Sequence, residues 1–95
     1  MFFWMIKNFA HKGLERFYTT GDKRGILPTH TKKIFSILDI LNASSMISEL
    51  RILSGFHELQ GDLKGKYSVK VSGAWRIHFE LIDGDVYIVD YENYH

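Results

Sequence analysis

The side chains in this sequence that are best suited to chemistry are five histidines and one arginine, Arg76, within a run of alternating apolar residues. The histidines are His11, His30, His57, His78 and His95. No two of them have an H-x-x-x-H or HExxH spacing, and the chain contains no cysteine. The sequence therefore argues against a metal site and against a thiol nucleophile. It also contains no Walker loop and no dinucleotide-binding G-x-G-x-x-G motif.

Histidine and arginine together suit the metal-free cleavage of a phosphodiester. This reaction needs a base for a ribose 2′-OH, an acid for the leaving 5′-oxygen and a cation for the charge that develops on phosphate. Histidine has an unperturbed pKa of about 6.5, so it can act as base or acid near neutral pH. Arginine is a permanent two-pronged cation for phosphate, and tyrosine can stack on an unstacked base.

Four residues become candidates for such a site: His57, Arg76, Tyr94 and His95. Each also has a plainer interpretation. Arg76 could be an ordinary surface cation, and the pattern alone leaves the two interpretations about even. His57 would by itself be taken for a loop histidine, and Tyr94-His95 for a frayed end, although the preceding strand can hold that pair close. His78 shares the predicted face of Arg76, but we interpret it as structural because Glu80 offers it a surface partner.

Length and composition indicate a single domain over residues 1–95. With 45% hydrophobic and 24% charged residues, the chain has the balance of an ordinary small globular domain. No stretch approaches the ~20 apolar residues of a membrane span, and the first residues lack the pattern of a signal peptide. We therefore expect a cytoplasmic protein without a membrane partner.

Charge is distributed unevenly although the formal net charge is only +1. Residues 1–33 carry seven basic side chains against two acidic ones, whereas residues 76–95 carry one basic side chain against five acidic ones. A basic half can face nucleic acid or an acidic partner. From charge alone, solvated helix faces are the somewhat better explanation.

Two helices are predicted before the sheet. The first covers His11 to Thr20 and is stopped by Gly21, and the second covers roughly Thr29 to Asn42 after Pro28. The loop between the helices is basic, and residues 5–9 could form a short first strand. The apolar positions of the two helices follow helical spacing and are Leu14, Phe17, Tyr18, Ile34, Ile37, Leu38 and Leu41.

From Lys66 onward the apolar residues alternate with polar ones, which is typical of half-buried strands. Asp83-Gly84 is a strong signal for a two-residue hairpin turn, with a returning strand from Asp85 to Tyr91. Helices before strands indicate an α+β fold, in which an N-terminal helical hairpin packs on a small, mainly antiparallel sheet.

The predicted hairpin turn fixes an expected register, pairing Leu81 with Val86, Phe79 with Ile88 and Arg76 with Tyr91. The expected buried face is Ile77, Phe79, Leu81, Val86 and Ile88. The expected open face is Arg76, His78, Glu80, Tyr87, Val89 and Tyr91. A three-residue loop over residues 72–74 would keep the preceding strand in phase and add Lys70 to the open face.

Several segments together resemble the HigB toxins of the RelE/ParE toxin–antitoxin superfamily. They are Gly61-Asp62, the strand pair from Tyr67 through Gly73-Ala74-Trp75-Arg76-Ile77, the Asp83-Gly84-Asp85 turn and the ending Asp90-Tyr91-Glu92-Asn93-Tyr94-His95. The opening Met5-Ile6-Lys7-Asn8-Phe9 and the following His11-Lys12-Gly13-Leu14 are similar to the start of that family. The resemblance covers nearly the whole chain from Met5, and the GxWRI strand with the Tyr-His ending is its most specific part.

The resemblance implies a ribosome-dependent mRNA interferase that cuts mRNA in the ribosomal A site without metal or cofactor. It implies that His57 is the family's loop histidine, that Arg76 binds phosphate, and that Tyr94 and His95 position substrate and transfer protons. The basic residues Lys12, Arg16, Lys23, Arg24 and Lys70 would contact RNA or the ribosome. The implied partner is a HigA-type helix-turn-helix antitoxin, whose complex with the toxin would bind operator DNA.

Two other functions remain open at this point. The same superfamily fold serves ParE-type inhibitors of DNA gyrase, which cut no RNA, although the histidines favour the nuclease. An attenuated toxin that acts mainly as a corepressor is the other alternative. It is suggested by Gln60 and Asn93, which stand where the family often has charged residues.

Overall fold

The computed structural model describes residues 6–43, 50, 52–53, 55–59, 65–83 and 85–93 of the chain. Within these residues, two helices, α1 (Lys12–Thr20) and α2 (Thr31–Ala43), precede four strands. The strands are β1 (His57–Glu58), β2 (Lys66–Ser72), β3 (Trp75–Ile82) and β4 (Asp85–Asn93). They form one antiparallel sheet in the order β1-β2-β3-β4, which confirms the predicted α+β class.

Both helix starts and the end of α1 follow from local chemistry. His11 caps α1, because its Nδ1 accepts a hydrogen bond from the Leu14 N–H at 2.9 Å. Gly21 ends α1 in the left-handed conformation, at φ 82°, as predicted. The predicted start of the second helix at Thr29 falls instead in a single 3₁₀ turn, Pro28–His30, which leads into α2.

The core lies between the helices and one face of the sheet. Leu14, Ile34, Leu38 and Leu41 are fully buried there, together with Ile77 on β3. Phe17 and Tyr18 of α1 contact Phe35 of α2, which holds the two helices together as a hairpin. Burial of these apolar faces is the main source of stability in a domain of this size. The opposite face of the sheet, without this helical cover, is called the open face below.

The β2–β3 hairpin keeps the predicted phase by a different route. Ser72 pairs with Trp75 across a two-residue turn, so the predicted three-residue loop is wrong. The additional residue is taken up in a bulge at Val71, between the pairs Lys70–Arg76 and Ser72–Trp75. Lys70 therefore lies on the open face, as expected, and directly opposite Arg76.

The β3–β4 hairpin follows the predicted register next to its turn and departs from it further along the strands. Leu81 pairs with Val86 as expected, but β4 has one additional residue opposite the segment from His78 to Glu80. The bulge lies at Ile88, whose φ is +54°. Beyond it the two faces exchange: Ile88 is 47% exposed, whereas Val89 and Tyr91 are 0% and 4% exposed. The predicted burial of Ile88, the open positions of Val89 and Tyr91 and the Arg76–Tyr91 pair are therefore wrong.

The bulge is held by the segment before α1. The Asn8 side-chain oxygen accepts a hydrogen bond from the Ile88 N–H, and the Asn8 carbonyl accepts one from the Val89 N–H at 3.3 Å. Residues 6–9, part of the predicted first strand, meet β4 through isolated parallel bridges at Ile6–Val86 and Phe9–Val89. The segment thereby covers the outer edge of β4, which would otherwise present unpaired backbone groups.

Within the described ranges, no helix has the length and apolar character that crossing a membrane requires.

Candidate active site

The register places the chemistry-bearing side chains of the open face in two neighbouring rows. Residues directly opposite one another in an antiparallel pair project from the same face. Lys70, Arg76 and Glu92 form one row across β2, β3 and β4, called the Arg76 row. The second row crosses all four strands and is called the His78 row; its members are His57, Ser68, His78 and Asp90.

Arg76 is held in place by two hydrogen bonds. Its Nε donates to the hydroxyl of Ser68, which is fully buried. Its Nη2 donates to the carbonyl oxygen of Gly55 at 2.7 Å. A guanidinium fixed in this way is preorganised, because it does not have to be ordered when an anion binds.

Gly55 is required at its position for two reasons. Its φ of +65° is a conformation that residues with a side chain rarely adopt. A Cβ atom there would also lie 2.7 Å from Lys70 Cβ and 3.4 Å from Arg76 Nη2. Gly55 and Ser68 are site residues that the sequence interpretation missed. Alternation with Lys70 already placed Ser68 on the open face, whereas nothing local in the sequence points to Gly55.

His78 lies half-buried in the middle of its row. Burial lowers the pKa of His78 below its usual value of 6.5, because desolvation penalises the charged imidazolium. The nearby carboxylate of Asp90 acts in the opposite direction, and the positive charges of Arg76 and His57 lower the pKa further. The three charged neighbours lie on the same face as His78, as the register of the strands requires.

Two carboxyl groups lie together at the β4 end of the rows. A hydrogen bond with Asp90 raises the pKa of Glu92, and burial and the negative charge of Asp90 add to the effect. Asp90 Oδ1 also accepts a hydrogen bond from the Tyr91 N–H at 2.9 Å. The open face is therefore cationic towards β2 and anionic towards β4.

A pocket of about 210 Å³ opens beside this acidic end. Its polar lining includes positively and negatively charged side chains. Its apolar lining consists of Leu59, Phe79 and Ile88. The polar lining residues are Lys66, His78, Glu80, Asp90 and Glu92.

The predicted catalytic residues are only partly within the described chain. Arg76 lies at the centre of the open face, and His57 lies exposed on β1 in the His78 row. Tyr94 and His95 lie outside the described residues. Strand β4 is described as far as Asn93, which pairs with Trp75, the residue before Arg76.

The predicted RNA-contacting cations divide between two surfaces. Lys70 lies on the open face opposite Arg76. Lys12 and Arg16 lie exposed on α1, and Lys23 and Arg24 lie exposed in the loop after it. The structure therefore brings only Lys70 together with the Arg76 row and leaves the other four on the helical layer.

The carboxylate of Asp22 engages two of those four cations. Arg24 donates from Nε at 3.0 Å and from Nη2 at 2.7 Å to Asp22 Oδ2, and Arg16 lies 4.0 Å from the same oxygen. The hydrogen bonds from Arg24 lower the pKa of Asp22 to about 2. Asp22 therefore stays ionised at neutral pH and offsets part of the charge that the sequence assigns to this surface.

Among the residues that the structure describes, no three or more His, Asp or Glu side chains are grouped so that they could hold a metal ion.

Comparison with known proteins gives one consistent result. The family model for the RelE-like toxin of the type II toxin–antitoxin system HigB matches residues 7–95. The chain is 39% identical over 92 residues to "Endoribonuclease HigB" of Proteus vulgaris, which covers 96% of this chain and 100% of that protein. It is 36% identical over 83 residues to "Toxin HigB-1" of Vibrio cholerae serotype O1, which covers 84% of this chain and 87% of that protein.

The family match and the two relatives agree with the resemblance seen in the sequence and with the α+β fold. A toxin of a type II toxin–antitoxin system has an antitoxin as its partner. The chain belongs to the HigB-like family, the RelE-like toxins of type II toxin–antitoxin systems.

Proposed function

We propose that this toxin is an endoribonuclease that cuts mRNA on the ribosome and thereby inhibits translation. The similarity to a protein named "Endoribonuclease HigB" supports the nuclease activity. The structural observation that carries the proposal is the preorganised guanidinium of Arg76, held by Ser68 and Gly55 in the middle of the open face.

The proposed reaction is an attack of the ribose 2′-oxygen on the adjacent phosphorus. A base removes the 2′-OH proton, the bond from phosphorus to the 5′-oxygen breaks, and an acid protonates that oxygen. The products are a 2′,3′-cyclic phosphate and a 5′-OH. Arg76 stabilises the negative charge that builds on the phosphate oxygens, and Lys70 opposite it adds a second positive charge.

His57 and His95 are the proposed proton-transfer pair. His57 belongs to the same face as Arg76, and β4 leads the chain towards Arg76 just before Tyr94 and His95. Tyr94 is proposed to position the base by stacking. The reaction needs no metal in this scheme, because histidines carry the protons and cationic side chains stabilise the phosphate.

The proposed partners follow from the same function. mRNA binds the open face in the ribosomal A site. The cations of α1 and of the loop after it contact ribosomal RNA phosphates, namely Lys12, Arg16, Lys23 and Arg24. A HigA-type helix-turn-helix antitoxin neutralises the toxin, and operator DNA is bound only through their complex. The proposed location is the cytoplasm, where ribosomes are available.

Substitution of Arg76 by alanine tests the proposal. We expect Arg76→Ala to lower the rate of mRNA cleavage by roughly 10²–10³-fold, the cost of losing one preorganised charge-stabilising group. Primer extension on mRNA from expressing cells measures the cuts, and growth after induction reports toxicity. Lys33→Ala is the matched control, because Lys33 is an exposed cation on α2 that the proposal does not use. A folded Arg76→Ala variant that cuts as fast as wild type would contradict the assignment.

The same experiment separates the two alternative functions. Broken DNA linked to gyrase, with intact mRNA, would identify a ParE-type inhibitor. Expression of the wild type without any effect on growth would support the attenuated corepressor.

A further inference from the structure

We propose that the pocket beside Arg76 holds one base of the mRNA and favours bases with an exocyclic amino group over uracil. Asp90 and Glu92 read the amino group, and Leu59 and Ile88 form the apolar walls. The inference rests on the proposed function, because it gives the nuclease a sequence preference at one position near the cut.

The position of the pocket relative to Arg76 suits a nucleotide. Arg76 and His78 are alternate residues of one strand, so their side chains leave the same face roughly 7 Å apart. Asp90 lies opposite His78, and Glu92 lies opposite Arg76. A nucleotide whose phosphate lies on Arg76 can therefore extend its base over the His78 row and into the pocket.

The apolar walls exist because of the bulge in β4. Ile88 has a positive φ, which is a strained conformation for a β-branched residue. The hydrogen bond from its N–H to the Asn8 side chain holds it there. As a result Ile88 presents its side chain to the open face, where it lines the pocket with Leu59. These two side chains provide the apolar contact that the faces of a base require. The pocket volume of about 210 Å³ suits a single base.

The polar edge of the pocket determines which bases fit. An ionised carboxylate only accepts hydrogen bonds. Adenine, cytosine and guanine each carry an amino group that donates to it, as carboxylates do to the cytosine amino group in DNA recognition. Uracil has carbonyl oxygens instead, which a carboxylate repels. The lowered pKa of His78 favours its neutral ring, which leaves the negative charge of the edge in place. The lysine of the pocket, Lys66, lies opposite Glu80 on the β2 side, away from the carboxyl groups on β4.

Mapping of cleavage sites tests the preference. The wild type is expected to disfavour uracil at one fixed position relative to the cut. Asp90→Asn and Glu92→Gln are expected to weaken that discrimination by roughly tenfold, because an amide can donate to a carbonyl oxygen. Asparagine at position 90 keeps an oxygen for the Tyr91 N–H, so this variant should fold. Asp85→Asn is the matched control, since Asp85 lies on β4 outside the pocket.

A binding measurement distinguishes failure of this inference from failure of the proposed function. AMP, CMP and UMP are titrated into the wild-type protein while the NMR signal of the His78 ring is followed. AMP and CMP are expected to shift it at roughly tenfold lower concentration than UMP, and Asp90→Asn to reduce that difference. A wild type that cuts no RNA would refute the nuclease, and the titration would still decide whether the pocket prefers amino-bearing bases.

Two outcomes would overturn the inference. The first is an unchanged distribution of bases at the cuts in both variants while Arg76→Ala abolishes cutting. The second is a titration in which UMP shifts the His78 signal as readily as AMP and CMP.

Discussion

Two adjacent residue pairs of the β3–β4 hairpin lie on opposite faces of the sheet and have different roles. On the helical side, Ile77 lies opposite Tyr91, which stacks on Trp75 with ring centroids 4.6 Å apart. The Tyr91 hydroxyl also lies 2.6 Å from Nδ1 of the buried His30. In the adjacent pair of the ladder, His78 lies opposite Asp90 on the open face among charged groups. The first pair anchors the sheet to the helices, and the second faces the proposed substrate.

The residue type alone does not determine the role of a histidine in this protein. His30 and His78 both have a polar partner close by, but His30 lies in a closed cluster with Tyr91 and Trp75. Such a cluster satisfies its polar groups internally and stiffens the fold. His78 lines an open pocket, where its ring can meet a ligand. The following changes are expected to affect one side of the hairpin without the other.

The largest effect on stability is expected for Tyr91→Ala. Removal of a buried aromatic ring costs about 3–5 kcal/mol, which is a large part of the total stability of a small domain. Urea denaturation measures the loss. Tyr87→Ala, on the same strand but only half-buried, should cost clearly less. Equal losses for the two variants would show that the Tyr91 cluster is not a special anchor.

A smaller and different effect is expected for Ser68→Ala. It removes the acceptor for Arg76 Nε without touching the helical side. We expect the cleavage rate to fall about tenfold through looser positioning of the guanidinium, because each 1.4 kcal/mol of lost stabilisation is tenfold in rate. Ser72→Ala on the same strand is the control, since Ser72 is exposed. If Ser68→Ala cut at the wild-type rate, Arg76 would not need this bond.

The smallest effect is expected from pH. The pKa of His78 is lowered in the folded protein, so below pH 6.5 the unfolded chain takes up a proton that the folded chain resists. Stability should therefore fall as the pH drops from 6.5 through the folded pKa. The His78→Gln variant should lose less stability over that range. Asp22 does not affect this range, because the contribution of its ionised carboxylate is lost only when the pH falls below the usual pKa of 3.8 towards its folded pKa of about 2. Identical pH profiles for the two proteins would contradict the shift.

Much of the fold follows from local pattern. Helix α1 and its stop at Gly21, the apolar faces of both helices and the turn after β3 all depend on neighbouring residues, and all were predictable. The bulge at Ile88 was not predictable, because it depends on Asn8, which is 80 positions away in the chain. Strict alternation through β4 therefore assigned Ile88, Val89 and Tyr91 to the wrong faces.

The candidate site divides in the same way. The sequence placed Lys70 on the same face as Arg76, although the loop that it assumed was wrong. The groups that hold Arg76 could not be foreseen, because Gly55 contributes through its carbonyl oxygen and its lack of a side chain. This contribution depends on the packing of Gly55 against Lys70 of β2, which the sequence pattern does not reveal.

The contact between Asn8 and the Ile88 bulge also affects when the toxin can fold. Ribosomes synthesise a chain from its N-terminal side, and contacts between distant positions form late. Residues 6–11 leave the ribosome long before β4, so their hydrogen bonds to β4 cannot form until that strand has been synthesised. The same delay applies to the pocket, whose Ile88 and Asp90 both belong to β4. A partly synthesised chain that has not reached β4 therefore lacks the pocket.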